Sequence, residues 1–322
     1  MSAIRTMKLR LGMLTFIIRR TLLIVVTLII VISATFFIVR LAPGGPFDKE
    51  KQLPDEAKIA MEHRYGQDRP ILEQYGLFWK GLILRGDLGP SMQYEGESVV
   101  SIIKVKFPVS LSLGALALLL ALAFGIVIGS IAAVYQNKSI DYSLMSIALL
   151  GISIPNFIIA MVLIIIFSFT LQILPVAGWT EFSHVILPAI ALSLPFTARI
   201  ARLMRVGMIE VLRDDFVRTA KAKGVATRTI VFGHCLPIAI LPVISYLAPA
   251  TAGILTGSLV IEQIFNVPGI GQMFVNSALN RDYFLIIGTI TLYASLLMVF
   301  ILISDVLYRV LDPRISYEAA ET

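Results

Sequence analysis

Few residues in this 322-residue chain are suited to bond-making chemistry. Its three histidines, His63, His184 and His234, lie far apart in sequence, and Cys235 is the single cysteine. A structural zinc site gathers four nitrogen or sulfur ligands, so a resident metal is not expected. One thiol also excludes an internal disulfide, and Cys235 is expected to be a small buried apolar residue. Gly151-Ile152-Ser153 sits in an apolar run, but a serine nucleophile needs a base within hydrogen-bond reach. No histidine follows at membrane depth to supply one. Ser153 and Asn156 read better as polar groups flanking Pro155, packing between helices or lining a path, together with Ser258. The glycine-rich loop Gly-x-x-x-x-Gly-Lys-Ser/Thr that cradles nucleotide phosphates is absent from the sequence. The chain is therefore expected to hold no catalytic residue and no cofactor of its own.

The most informative stretch runs from Asp214-Asp215-Phe216-Val217-Arg218-Thr219-Ala220-Lys221-Ala222-Lys223-Gly224 to Leu236-Pro237. Asp214 or Asp215 can cap a short helix, which Gly224 would end in a left-handed conformation. Thr227 can cap the next helix, and Pro237 falls near the start of an apolar run. Ala220 and Ala222 give helix propensity without bulk, so another surface can approach closely. Two readings stay open on physics alone. One is a docking element; the other is a basic juxtamembrane segment drawn to anionic lipid.

The elements around this segment follow from composition. Hydrophobic residues make up 57% of the chain and charged ones 15%, too few charges for a soluble surface of this size. The apolar residues collect in blocks of a length that crosses a bilayer, about 20 residues at 1.5 Å each. Six spans are expected, near 17–39, 109–134, 143–170, 185–206, 236–260 and 284–308, giving an all-α polytopic membrane protein. Pro155 and Pro195 should kink the third and fourth. Gly125/Gly129 and Gly253/Gly257 form small-xxx-small pairs that permit close helix packing. The N-terminal run Thr21–Val39 is longer than a signal core, and no small-residue cleavage site follows it, so it reads as an uncleaved first helix.

Basic residues cluster before the first span (Arg5, Lys8, Arg10, Arg19, Arg20) and between the fourth and fifth (Arg199 through Arg228). By the positive-inside rule, both termini and the fourth-to-fifth segment face the cytoplasm. The organisation expected is a cytoplasmic N-terminus with its first helix over 1–40 and an external loop over 41–107. A five-helix core follows over 108–309, with a cytoplasmic segment at 207–235, and then a tail at 310–322. The net charge of +6 belongs to this orientation, and no nucleic-acid partner is expected. In the external loop, Pro54-Asp55-Glu56 and Asp68-Arg69-Pro70 are helix starts. After the second, Ile71, Tyr75, Phe78 and Leu82 recur at helical spacing beside Trp79. That stripe suits a helix at the membrane interface, or a packed cap on the outer face.

The 214–237 segment resembles the loop that binding-protein-dependent ABC importer permeases present to their ATPase subunits. The family pattern is Glu-Ala-Ala, three residues, Gly, nine residues, Ile-x-Leu-Pro. Here Ala220, Gly224, Leu236 and Pro237 match, while Arg218, Thr219 and His234 replace the Glu, first Ala and Ile. This Arg-Thr-Ala-x-Ala-Lys-Gly variant is similar to that of the peptide and nickel branch. Arg40-Leu41-Ala42-Pro43-Gly44-Gly45-Pro46-Phe47 and Gly86-Asp87-Leu88-Gly89-Pro90-Ser91 look like parts of oligopeptide permease B subunits. So do Asn266 to Gln272, Asn280-Arg281-Asp282-Tyr283 and Leu311-Asp312-Pro313-Arg314.

The resemblance implies a type I ABC importer permease fold in a bacterial cytoplasmic (inner) membrane. The chain would pair with a second permease subunit, two cytoplasmic ATPase subunits that bind ATP, and an external peptide-binding protein. Peptide would be the substrate. The coupling set it implies is Asp215, Arg218, Thr219, Ala220, Lys221, Ala222, Lys223 and Gly224, with Leu236 and Pro237. A dipeptide or nickel importer is the alternative within the family. An ion-coupled secondary transporter is the alternative class; such carriers place charges at mid-membrane, whereas Arg40, Arg199, Glu262, Asp305 and Arg309 read as lying near span ends.

Overall fold

The computed structural model describes residues 2–46 and 55–311. Pro54, Phe47 and the tail from Asp312 onward, all used above, lie outside the described residues. Among those described, every regular element is helical. In order they are α1 (Ser2–Leu41), α2 (Asp55–Arg64), α3 (Ile71–Arg85), α4 (Val99–Val134), α5 (Ser139–Ser153) and α6 (Asn156–Leu163), which widens into a π-helical turn over Ile164–Thr170. Then come α7 (Ser183–Val211), α8 (Asp215–Ala222) and the short α9 (Thr227–Thr229), a second π-helical stretch over Ile230–Cys235, α10 (Leu236–Ala239), α11 (Leu241–Ile264), α12 (Ile270–Asn280) and α13 (Tyr283–Leu311).

Four helices contain stretches long and apolar enough to cross a membrane: Thr15–Leu41, Val99–Val134, Ser183–Val211 and Tyr283–Val306. Two bent pairs bring the number to six if each is one span. The first pair corrects an expectation. Residues 143–170 are not a continuous helix with a kink at Pro155 but two helices, α5 and α6, that diverge by 107°. Ile154 (φ −90°, ψ 126°) and Pro155 (φ −54°, ψ 136°) are both extended. A proline ring clashes with a helical residue before it and offers no N–H to continue the ladder, so the helix ends here and restarts at Asn156. The second pair turns by 46° between Thr227–Ala239 and Leu241–Leu247, where Pro242 near the start of α11 interrupts the ladder in the same way. α7, in contrast, runs on through Pro188 and Pro195. α4 begins at Val99, well before the span expected from 109, because Val99 and Ile102 bury against Ile270, Met273 and Leu285.

The chain divides into two compact units, Met1–Val109 with Gly269–Leu302, and Ser110–Pro268 with Ile303–Thr322. In the first, Phe36 of α1 stacks edge-on against Tyr75 and lies beside Phe78 of α3. Three of the segments that carried the family resemblance meet there. The buried Asp282 carboxylate accepts hydrogen bonds from the Ser91 hydroxyl, from the amides of Met92 and Gln93, and from Leu285 N–H in the first turn of α13. The Tyr283 hydroxyl donates to Gly44 O at 3.3 Å, and Arg281 reaches Gly45 O at 3.5 Å. One carboxylate thus caps a long helix and holds the 86–98 loop.

In the second unit α7 packs against α5, α6, α10 and α11. Gly129 of α4 lets the two backbones touch: a Cβ there would collide with Ala201 O and stand 2.7 Å from Met204 Cβ and 3.0 Å from Arg205 N. Gly125 does the same one turn away against Ile200. The small-residue pair in α4 is therefore a helix-packing contact.

Candidate functional site

The 211–240 segment lies wholly in the second unit, and its local chemistry sets its shape. α7 finishes with tightened turns, Arg213 N donating to Glu210 O and Asp214 N to Val211 O. Asp214 takes the cap position of α8 with an extended backbone (φ −64°, ψ 153°). Its carbonyl accepts from Val217 and Arg218, but its carboxylate makes no cap bond. Asp215 stands in the first helical turn, where a negative charge complements the helix dipole. Its 3.4 Å contact to Arg218 is between two exposed side chains and contributes little.

Gly224 ends α8 as expected. Its φ is +75°, its N–H bonds Lys221 O at 3.0 Å, and the next amide, Val225 N–H, bonds Ala220 O at 3.1 Å. These two bonds form a Schellman turn, whose apolar positions Val225 and Ala220 face the same cluster. Both pack partly buried against the cluster that contains Val211, Val217, Ile230 and Cys235. Thr227 does not cap the next helix; Ala226 holds that position and Thr227 is the first helical residue. The inward anchoring of Val225 brings the chain back into helix one residue early. Cys235 is fully buried, in keeping with the apolar role expected of it.

The result is a one-sided helix. Val217 is buried and Ala220 half-buried, while Phe216, Arg218, Thr219, Lys221, Ala222 and Lys223 are exposed. An eight-residue helix thus presents a cationic outer face with an aromatic ring and small residues, on an apolar base joined to α7. Past Leu236, half-buried, and Pro237 in the first turn of α10, the return path presses Ala239 against α7. A Cβ on Gly207 would lie 2.6 Å from Ala239 O. The expected coupling residues are therefore gathered on one element, with Leu236 and Pro237 on the segment that supports it.

Sequence reasoning missed a second feature. Asp141, in the first turn of α5, is 1% exposed, and its two oxygens accept from Nε and Nη2 of Arg205, each at 2.6 Å. Asp141 Oδ2 also accepts the amide of Asn137, whose φ of +62° closes the turn from α4. A bidentate Arg–carboxylate pair is both strong and directional, so it clamps the start of α5 to α7 just before the 211–240 segment. In the sequence Arg205 is only one of the basic residues from Arg199 to Arg228. The available signal was the lone Asp at the edge of an apolar run, a position that demands a partner.

The three candidate path residues stand on three different helices. Ser153 ends α5 and Asn156 begins α6, on either side of the break. Ser258 is fully buried in α11 with its hydroxyl bonded to Leu255 O at 2.9 Å. Among the described residues, no three of the His, Cys, Asp and Glu side chains gather where they could hold a metal ion.

Residues 125–317 match the family described as the binding-protein-dependent transport system inner membrane component, and residues 13–114 match its N-terminal membrane component. The chain is 48% identical over 307 residues, 95% of its own length and all of the relative's, to the oligopeptide transport system permease protein OppB of Salmonella typhimurium. The protein of that name from Haemophilus influenzae is 45% identical with the same coverage. The dipeptide transport system permease protein DppB of Bacillus subtilis is 43% identical over 88% of this chain and 92% of its own.

Proposed function

This chain belongs to the binding-protein-dependent transport system inner membrane component family, and from that premise we propose that it is the permease subunit of an ATP-driven oligopeptide importer. It works in the inner membrane beside ATPase subunits and an external substrate-binding protein. The observation that carries the substrate class is identity to oligopeptide permeases along the full length of those relatives, above that to the dipeptide permease. The finer assignment has both termini cytoplasmic, one further homologous permease, and two ATPase subunits that bind the ATP.

Within that assembly α8 is the coupling helix. Its exposed face, Phe216, Arg218, Thr219, Lys221, Ala222 and Lys223, docks in an ATPase cleft, and its buried face transfers the load. Support for this reading comes from one apolar cluster that holds Val217 together with Val211 and Met208 of α7, with Ala220 and Val225 packed against it. A displacement of α8 must then move the end of α7, since close-packed interiors shift as blocks. α4 follows through Gly129, α5 through Asp141–Arg205, and α10 through Gly207. The ladder is interrupted at Ile154–Pro155 and at Ile240, and these are the places where such a block can turn relative to the rest. ATP-driven closure of the ATPases would thereby bias the pore between inward- and outward-facing states. Ser153, Asn156 and Ser258 remain the proposed path residues.

Gly224→Val tests the coupling role. No atom lies within 4 Å of the added Cβ, so the cost is that of a β-branched residue at φ +75°, about 1–2 kcal/mol. The expected outcome is an inserted, assembled complex that still hydrolyses ATP, with peptide uptake per ATP lowered about tenfold, the factor that about 1.4 kcal/mol represents. Uptake equal to the parent protein's would count against the assignment. Purification from native membranes tests the class: a second permease and nucleotide-binding subunits should co-purify. A lone chain active in vesicles would instead identify an ion-coupled carrier.

A further inference from the structure

α7 is buried on one side and bare on the other. Ile200, Met204, Gly207, Met208 and Val211 are buried in the second unit. Arg199, Arg202, Val206 and Glu210 are exposed, Val206 to 62%. At 100° per residue these four share an arc of about 80°, centred about 150° from the buried set. Arg205, outside this arc, is paired with Asp141. Among the described residues neither Arg199 nor Arg202 forms an ion pair with a carboxylate. The Arg199 guanidinium stands over the ring of Tyr246 in α11, 5.6 Å from its centroid. That contact holds a cation without neutralising it.

The level of Arg199 follows from its neighbours in α4. A Cβ on Gly125 would lie 3.0 Å from Thr197 O and 2.8 Å from Ile200 Cβ, so Arg199 is nearly level with Gly125. The sequence from Phe107 to Asn137 carries no charged residue. Gly125 lies within that stretch, about 28 Å along α4 from Lys106 and about 14 Å from the end of the helix at Val134. Arg199 therefore stands inside the hydrocarbon layer, and not near a span end, the place its sequence position suggested. A charged side chain at that depth faces a water-filled cavity or a partner in preference to lipid. Glu210, the acid on this side, is about 16 Å further along α7, which leaves the two arginines as a cationic patch.

The occupant of that patch must bring negative charge. Peptides of unrelated sequence share one anionic group, the C-terminal carboxylate, whose two oxygens match the planar fork of arginine. A path that passes many sequences can hold that group without reading the rest. We propose that the exposed side of α7 borders the translocation path, and that Arg199, with Arg202 beside it, binds the C-terminal carboxylate of the passing peptide. This rests on the importer reading above and names what its path recognises.

The test compares uptake of tetraalanine and of its C-terminal amide by the assembled transporter in vesicles, with the binding protein in excess. Comparing the acid-to-amide ratio between the parent and Arg199→Gln cancels what the binding protein contributes. The ratio is expected to fall about tenfold in Arg199→Gln, the loss of one hydrogen bond between charged groups. Arg199→Lys should recover part of it. A ratio equal to the parent's would overturn the proposal. If uptake of both peptides then drops, or the second permease is lost from the complex, the arginine pairs with that subunit. If uptake is unchanged, it is directed at lipid headgroups. In a second measurement, tetraalanine extended by a C-terminal benzoylphenylalanine is irradiated during turnover. Adducts on α7 between 195 and 206 are expected, and labelling that misses α7 would overturn the proposal. A parent complex that takes up neither peptide would contradict the importer reading itself, which is a separate failure.

Discussion

Arg205→Ala is expected to destabilise the membrane domain by about 3–5 kcal/mol, because it strands a buried carboxylate. Asp141 is 1% exposed, and both its oxygens rely on the guanidinium at 2.6 Å. The amide of Asn137, which remains, satisfies one lone pair and none of the charge. Thermal unfolding in detergent should show the loss, and so should the yield of assembled complex from membranes. Arg205→Lys restores the charge without the two-pronged fork and should recover only part of it. The double variant Arg205→Met with Asp141→Leu should regain most of the stability, since matched apolar side chains replace a buried pair at little cost. If the double variant is stable yet transports poorly, the pair acts in keeping α5 in step with α7. If Arg205→Ala unfolds like the parent protein, the clamp does not matter.

Gly129→Leu is expected to prevent α4 and α7 from closing, at a cost at the upper end of the roughly 1–3 kcal/mol typical of overpacking or beyond it. The atoms in the way are Ala201 O, Met204 Cβ and Arg205 N. None of them belongs to the far end of a side chain that can swing aside. The helices must separate, and the Arg205–Asp141 geometry one turn away must change with them. Gly76→Ala is the matching control, because its Cβ meets no atom within 4 Å in the middle of α3. It should stabilise by up to about 1 kcal/mol through helix propensity. Equal expression and melting temperature for Gly129→Leu and the parent would show that the close approach is unimportant.

The contrast between these glycines bears on what a sequence can reveal. Gly224 was legible as a left-handed helix end because capping depends on a few consecutive residues and their backbone angles. The start of α3 after Pro70 was legible for the same reason, whereas the start of α4 at Val99 was not. Thr227 does not cap because the deciding influence, the packing of half-buried Val225 on the apolar cluster, acts through space. Pro155 was legible as a disturbance and not as a turn of 107°. Whether a helix continues past a proline is decided by its surroundings; α7 continues through Pro188 and Pro195, and α5 stops before Pro155.

Apolar run length and the Gly224 punctuation made legible, from the chain alone, a helical membrane protein with an ordered polar segment after α7. Those properties follow from interactions with solvent, lipid or adjacent residues, which need no knowledge of the partner in space. Tertiary structure decided which side of α3 turns to α1, that Asp141 meets Arg205 across 64 positions, and that Asp282 ties Ser91 to the last helix. Each of these is a choice among several chemically suitable partners. The choice is made by close packing, which admits one arrangement and excludes the rest.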